Sequence, residues 1–176
     1  KSKKGFFLNI FKRLNSLPKS FFGMIIAHLG VAVFLAGVTG EQFFKEEFQK
    51  KLNLNDKFHL SQYEILFSKV SNINGPNYIS KSAEFNIYHE GKLIKKLTSE
   101  KRFYPVEKNQ TTEAGILSSL LGDIYIVLGN GDIKSGWTVK AYLNPLVSWI
   151  WYGVGLMALG GFISIIRINR KKKIEN

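Results

Sequence analysis

The chain has 176 residues, a net charge of +12 and a pI near 9.8. Such a charge suggests nucleic acid, but its placement argues against that partner: 11 of the 25 basic residues sit at the two ends, and no basic stripe or recognition motif lies between them. There are no cysteines, which rules out disulfides, thiolate metal sites and a cysteine nucleophile.

The chain opens on Lys1 rather than methionine, as a processed or excised piece would. Residues 1–20 form a basic segment in which Phe6, Phe7, Ile10, Phe11 and Leu14 recur at helical spacing opposite Asn9, Lys12 and Arg13. This pattern predicts an amphipathic helix from Gly5 to Leu17, lying on a lipid interface and broken by Pro18. Asn9, Arg13 and Asn15 interrupt it too often for a signal peptide.

Phe21 to Gly40 then runs without a formal charge for about twenty residues, the length of a bilayer-crossing helix. We assign residues 21–44 to a first transmembrane helix. His28 is the ionisable side chain inside it, with Ala32, Ala36 and Gly40 following at intervals of four and Met24 and Ile25 beneath. Two readings fit. An imidazole beside a trough of small side chains suits a planar macrocycle ligated through the ring or a proton carrier, and it equally suits a polar hydrogen bond between close-packed helices. Past Gly40, Phe44, Phe48 and Leu52 keep an apolar stripe, which predicts that the helix continues to a turn at Asn53 and Asn55.

Residues 45–143 make up a mostly β domain. Ile65 and Phe67, then Ala83, Phe85 and Ile87, then Trp137, Val139 and Ala141 alternate with polar residues, as strands with one buried face do. Glu90-Gly91 predicts a tight hairpin. Asp123–Leu128 is nearly all apolar and reads as a strand buried on both faces. Thr112–Leu121 reads as the one helix of the domain, capped by Thr111 or Thr112. The turn Asn74-Gly75-Pro76-Asn77-Tyr78 reads as structural, and His59 and His89 as solvated surface residues without a second ligand at metal spacing. Asn109-Gln110-Thr111 fits a glycosylation sequon.

Residues 144–166 predict a second transmembrane helix, with Trp149, Trp151 and Tyr152 as interfacial aromatics and Gly153, Gly155, Gly160 and Gly161 flattening its surface. Residues 167–176 are a basic tail. Basic flanks at both ends predict cytoplasmic termini and an extracytoplasmic β domain. The fold class is therefore two transmembrane helices flanking an extracytoplasmic, mostly antiparallel β domain. No phosphate loop, nucleophile elbow or carboxylate pair appears, so catalysis by this chain alone is not supported.

In order, GMIIAHLGVAV (23–33), NGPNY (74–78), EKRFYP (100–105), TEAGI (112–116), DIYIVLG (123–129) and NPLVSWIWYGVGLMALGG (144–161) resemble the C-terminal part of the CcmF family. That resemblance covers nearly the whole chain. It implies the membrane subunit of a haem lyase in cytochrome c maturation, in which the histidine of the AHLG context is an axial ligand of a structural haem b. By the same resemblance His28 is that iron ligand. The family's tryptophan-rich region, its external histidines and the second transmembrane histidine are absent here, and Asn55 stands where the family usually has glycine. The implied partners are membrane lipid, the N-terminal portion of CcmF, other maturation subunits, a haem chaperone and apocytochrome c. The implied location is the bacterial inner membrane with the β domain in the periplasm.

Overall fold

A computed structural model describes residues 17–172, with side chains as far as residue 165. The amphipathic segment predicted for 5–17 lies almost wholly outside these residues. Helix α1, Lys19–Phe44, starts directly after Pro18, whose carbonyl accepts a hydrogen bond from the Phe21 N–H at 2.9 Å. Nine strands follow: β1 (Glu46–Leu52), β2 (Lys57–Leu60), β3 (Tyr63–Asn74), β4 (Ile79–His89), β5 (Lys92–Tyr104), β6 (Asn109–Glu113), β7 (Gly115–Ser118), β8 (Gly122–Asp132) and β9 (Gly136–Pro145). Helix α2, Val147–Lys172, closes the described chain. The two helices form one compact unit and the strands another.

All strand pairs are antiparallel, in a four-stranded sheet of order β1-β9-β8-β7 and a five-stranded sheet of order β2-β3-β4-β5-β6. Strand alternation turns one side chain in two towards the facing sheet. Ile65, Phe67, Ala83, Phe85 and Ile87 from the larger sheet meet Ile126, Leu128, Val139 and Ala141 from the smaller, all fully buried. Phe67 and Phe85 stack across β3 and β4 with ring centroids 5.1 Å apart. The alternation expected for these strands is therefore the one observed.

Two left-handed residues, Glu90 (φ 50°) and Gly91 (φ 74°), make the expected hairpin turn, since a turn of this kind needs positive φ at both central positions. Asn55 is also left-handed (φ 71°), and its N–H reaches the Phe67 carbonyl at 2.8 Å. Asparagine adopts this conformation more readily than most residues, so it serves where glycine otherwise would. In the 74–78 turn, a Cβ on Gly75 would lie 2.4 Å from the Tyr78 ring. Tyr78 in turn contacts Tyr104 and receives the Arg102 guanidinium on its face, so the turn packs on its neighbours.

Three expectations are corrected. The helix ends at Phe44, and residues 46–52 are strand β1, with Phe48 stacked on Phe58 at 4.1 Å and Leu52 buried. A spacing of four keeps residues on one face in a helix and in a strand alike, so the stripe could not separate the two. Thr112–Leu121 is not a helix but spans the last two residues of β6, the crossing between sheets and all of β7. There Ser99 Oγ donates to the Glu113 carbonyl at 2.9 Å, and a Cβ on Gly115 would stand 3.0 Å from the Thr98 carbonyl oxygen. Sheet-edge pairing outweighs the weak helical pattern. Finally, Asp123–Leu128 is fully buried only at Ile124, Ile126 and Leu128; its other face is half-covered.

Asp132 closes the β8–β9 turn by accepting the Lys134 and Ser135 N–H groups, both at 2.7 Å. The Ser135 N–H, followed by that of Lys134, holds its carboxyl below the ordinary value of 3.8. A depressed folded pKa stabilises above the unfolded pKa and is lost as pH falls through the folded value. The stability difference between the protein and Asp132→Asn should thus shrink as pH falls below about 4; a thermal-unfolding difference independent of pH contradicts this. Phe85→Ala should cost about 3–5 kcal/mol in denaturant unfolding, whereas Lys96→Ala, which removes an exposed ion pair to Glu84, should cost under about 1 kcal/mol. Equal small effects would contradict the strand phase.

Candidate functional site

Both helices are long and apolar enough to cross a membrane. Which face of α1 meets α2 decides where His28 points. Gly23, Gly30 and Gly37 recur every seven residues and are buried. A Cβ at Gly23 would lie 2.6 Å from the Gly160 carbonyl, one at Gly30 2.6 Å from the Met157 amide, and one at Gly37 2.7 Å from the Ile150 amide. The contact is reciprocal: at Gly153 a Cβ would meet the Phe34 amide at 2.5 Å, and at Gly160 the Ala27 amide at 2.5 Å. The helices thus touch backbone to backbone, an approach that any side chain at these positions would prevent. Of the four α2 glycines expected to flatten the surface, Gly153 and Gly160 do so at this contact, while Gly155 and Gly161 face open space.

His28 stands about 200° around the helix from Gly30 at roughly 100° per residue. It is exposed, as are Ala32 and Ala36 on the same ridge. The fourth member of the expected trough, Gly40, is instead covered by the Leu146 side chain. The interhelical hydrogen bond considered for His28 is not made to α2. Its Nδ1 lies 2.8 Å from the Met24 carbonyl oxygen one turn earlier. A carbonyl only accepts, so Nδ1 carries the proton, and in the neutral ring Nε2 keeps its lone pair. This is how a ligating histidine is oriented by a partner behind it. The sequence placed His28 beside small residues; the heptad of glycines that turns it outward was readable in the same stretch but is not part of that pattern.

The other two histidines do not join it. His59 is exposed, with Nε2 3.7 Å from Glu64, which also accepts from Lys57 at 2.9 Å. His89 is half-buried against Tyr63, with Nδ1 3.3 Å from the Gln62 carbonyl. Among the described residues no group of three His, Asp or Glu side chains could hold a metal ion. Arg102 pairs with Glu100 at 3.0 Å and Glu113 at 3.5 Å, and the Glu100 hydrogen bond raises its already high pKa.

An antiparallel sandwich inserted in sequence between two helices long enough to cross a membrane defines the class of protein. Residues 43–145 match the family described as the CcmF C-terminal beta-sandwich, and the chain belongs to that family. It is 35% identical over 161 residues to the cytochrome c-type biogenesis protein CcmF of Haemophilus influenzae, covering 92% of this chain and 24% of the relative. With CcmF of Pseudomonas aeruginosa it shares 34% identity over 160 residues, 91% of this chain and 24% of the relative. The chain spans about a quarter of the length of these curated relatives. A solved structure named cytochrome c heme lyase CcmF matches the fold with a TM-score of 0.65 and 18% identity, over 83% of this chain and 24% of that one.

The geometry yields a spectroscopic expectation. Nitrogen-15 NMR of His28 in detergent should show the neutral ring protonated at Nδ1 and bare at Nε2. A ring protonated at Nε2 contradicts the assigned orientation.

Proposed function

We propose that this chain supplies one axial ligand, His28, of a haem b held in the membrane, together with the extracytoplasmic β domain of a haem lyase that attaches haem to apocytochrome c. The observation that carries this reading is the outward imidazole whose Nδ1 is engaged by the Met24 carbonyl. The names of the relatives support the process, since those proteins are called cytochrome c-type biogenesis proteins and the solved one a haem lyase.

The residues present fit the group. Nε2 of His28 offers one neutral nitrogen donor, and exposed Ala32 and Ala36 keep one ridge beside it low, with Leu35 an exposed apolar side chain on the same face. Bound there, haem b supplies one-electron redox chemistry. The chain's own part is to hold and aim the ligand: Met24 fixes the ring, and the glycine contact with α2 keeps that face turned away from this chain's other helix. A second axial ligand and the bond-forming machinery belong to the N-terminal portion of CcmF, and the chain is not catalytic alone. Charge supports a topology with both termini in the cytoplasm and the sandwich in the periplasm of the inner membrane, since basic residues precede the first span and follow the second. The partners are other maturation subunits, a haem chaperone and apocytochrome c.

The test is an optical spectrum of the chain purified together with the N-terminal portion. A low-spin b-type spectrum is expected, reduced to a small residue by His28→Ala and retained in His59→Ala and His89→Ala. An unchanged spectrum in His28→Ala at preserved protein level overturns the ligand assignment and favours a non-catalytic scaffold whose β domain binds partner proteins.

A further inference from the structure

The core of the sandwich stops short of one end, and the residues that replace it are the wrong kind for a core. On the larger sheet Val70, Ala83 and Ser99 are paired across β3, β4 and β5 and face inward. Two residues further on, the next inward row is Asn72, Lys81, Lys101 and Thr112, and the one after it Asn74, Ile79, Phe103 and Gln110. That both lysines point inward is shown by their contacts with the opposite sheet. Lys81 Nζ lies 4.8 Å from the Trp137 ring centroid, and Lys101 Nζ donates to Asn130 Oδ1. Between the sheets these residues, Thr112 apart, line a cleft of about 580 Å³, with Ile79, Phe103 and Trp137 as its apolar walls. This is within the size range of small-molecule pockets.

Lys81 and Lys101 are direct cross-strand partners, an arrangement of like charges that destabilises a sheet unless something lies between them. Among the described residues neither Lys81 nor Lys101 has a carboxylate partner; Lys69, Lys92, Lys95 and Lys140 have none either, but Lys81 and Lys101 face each other across two strands and reach the opposite sheet. Asp132 borders an adjoining hollow with Lys81, but its carboxylate is engaged by the N–H groups of its own turn. Trp137, 4% exposed, also carries an indole N–H without a partner among the described residues.

Two unneutralised ammonium groups beside apolar walls suit an anion with an apolar body better than a fully hydrated inorganic one. We propose that this cleft is a binding site for an organic carboxylate, held between Lys81 and Lys101 with its apolar part against Ile79, Phe103 and Trp137. The site does not depend on His28 or on the haem reading. Its ligand could be a free small acid or the carboxylate of a peptide terminus, and the test separates these sources.

The whole chain, labelled with nitrogen-15 in detergent micelles, is titrated with 4-phenylbutyrate and its amide, and with a phenylalanine-terminated tripeptide and its amide. The readout is the Trp137 indole resonance, assigned with Trp137→Phe. At least one acid should shift it saturably and its amide should not. Saturation by phenylbutyrate alone identifies a small acid; saturation by the tripeptide acid alone identifies a peptide terminus. Lys81→Met and Lys101→Met should each weaken binding by roughly tenfold, as loss of a charge-assisted hydrogen bond does, while leaving the thermal midpoint equal or higher because the like-charge pair is gone. Acid and amide binding alike, no shift with either acid at millimolar concentration, or inorganic phosphate binding as well as the acids would overturn the proposal without any variant. Folded lysine variants that bind as the unaltered chain would overturn it too.

Discussion

Backbone contact between the two helices is the constraint from which the site follows. Helices approach this closely only where neither carries a side chain, and here the contact runs through Gly23, Gly30 and Gly37 on α1 and Gly153 and Gly160 on α2. Glycine is among the poorer helix formers, by about 1 kcal/mol relative to alanine at each position, so local propensity alone gives no reason for it here. Close packing does. Once that face is committed, the opposite face of α1 is left exposed among the described residues. His28, Ala32 and Ala36 occupy it.

The sandwich solves a separate problem. Strand β1 pairs with β9 along its length, from Glu46 opposite Leu143 to Leu52 opposite Trp137. The first and last strands of the domain are therefore neighbours, and the chain enters and leaves at adjacent points. At the exit, Leu146 takes a left-handed φ of 57° and its N–H reaches the Leu121 carbonyl at 3.0 Å, while Ser148 Oγ donates to the Ser119 carbonyl at 2.9 Å. These bonds hold the end of the last strand's exit, residues 146–148, against residues 119–121 between β7 and β8.

Much of this was legible in the sequence, and the exceptions have physical causes. Uncharged stretches of twenty residues and strict alternation at Ile65–Phe67, Ala83–Ile87 and Trp137–Ala141 each admit one period, so helix and strand were separated correctly there. Phe44, Phe48 and Leu52, spaced by four, satisfy both periods, and only pairing with β9 makes residues 46–52 a strand. Thr112–Leu121 has local features of a capped helix, but its backbone groups complete two sheet edges, which no local pattern encodes. His28 was legible as a residue because ionisable groups are rare in apolar spans; its direction required knowing that the glycines, rather than the alanines, meet α2. The inward lysines were visible as Lys81 continuing the Ala83–Phe85–Ile87 alternation, yet their cross-strand meeting with Lys101 depends on the register of β4 and β5.

What unites these observations is an imidazole held from behind and exposed in front, on the side of the helix that the described residues do not cover. Exogenous ligand replacement tests that most directly. In the assembly with the N-terminal portion, His28→Gly should lose the low-spin b-type spectrum, and added imidazole should restore it by occupying the vacated ligand position. A His28→Gly assembly that keeps its low-spin spectrum without imidazole would contradict the account.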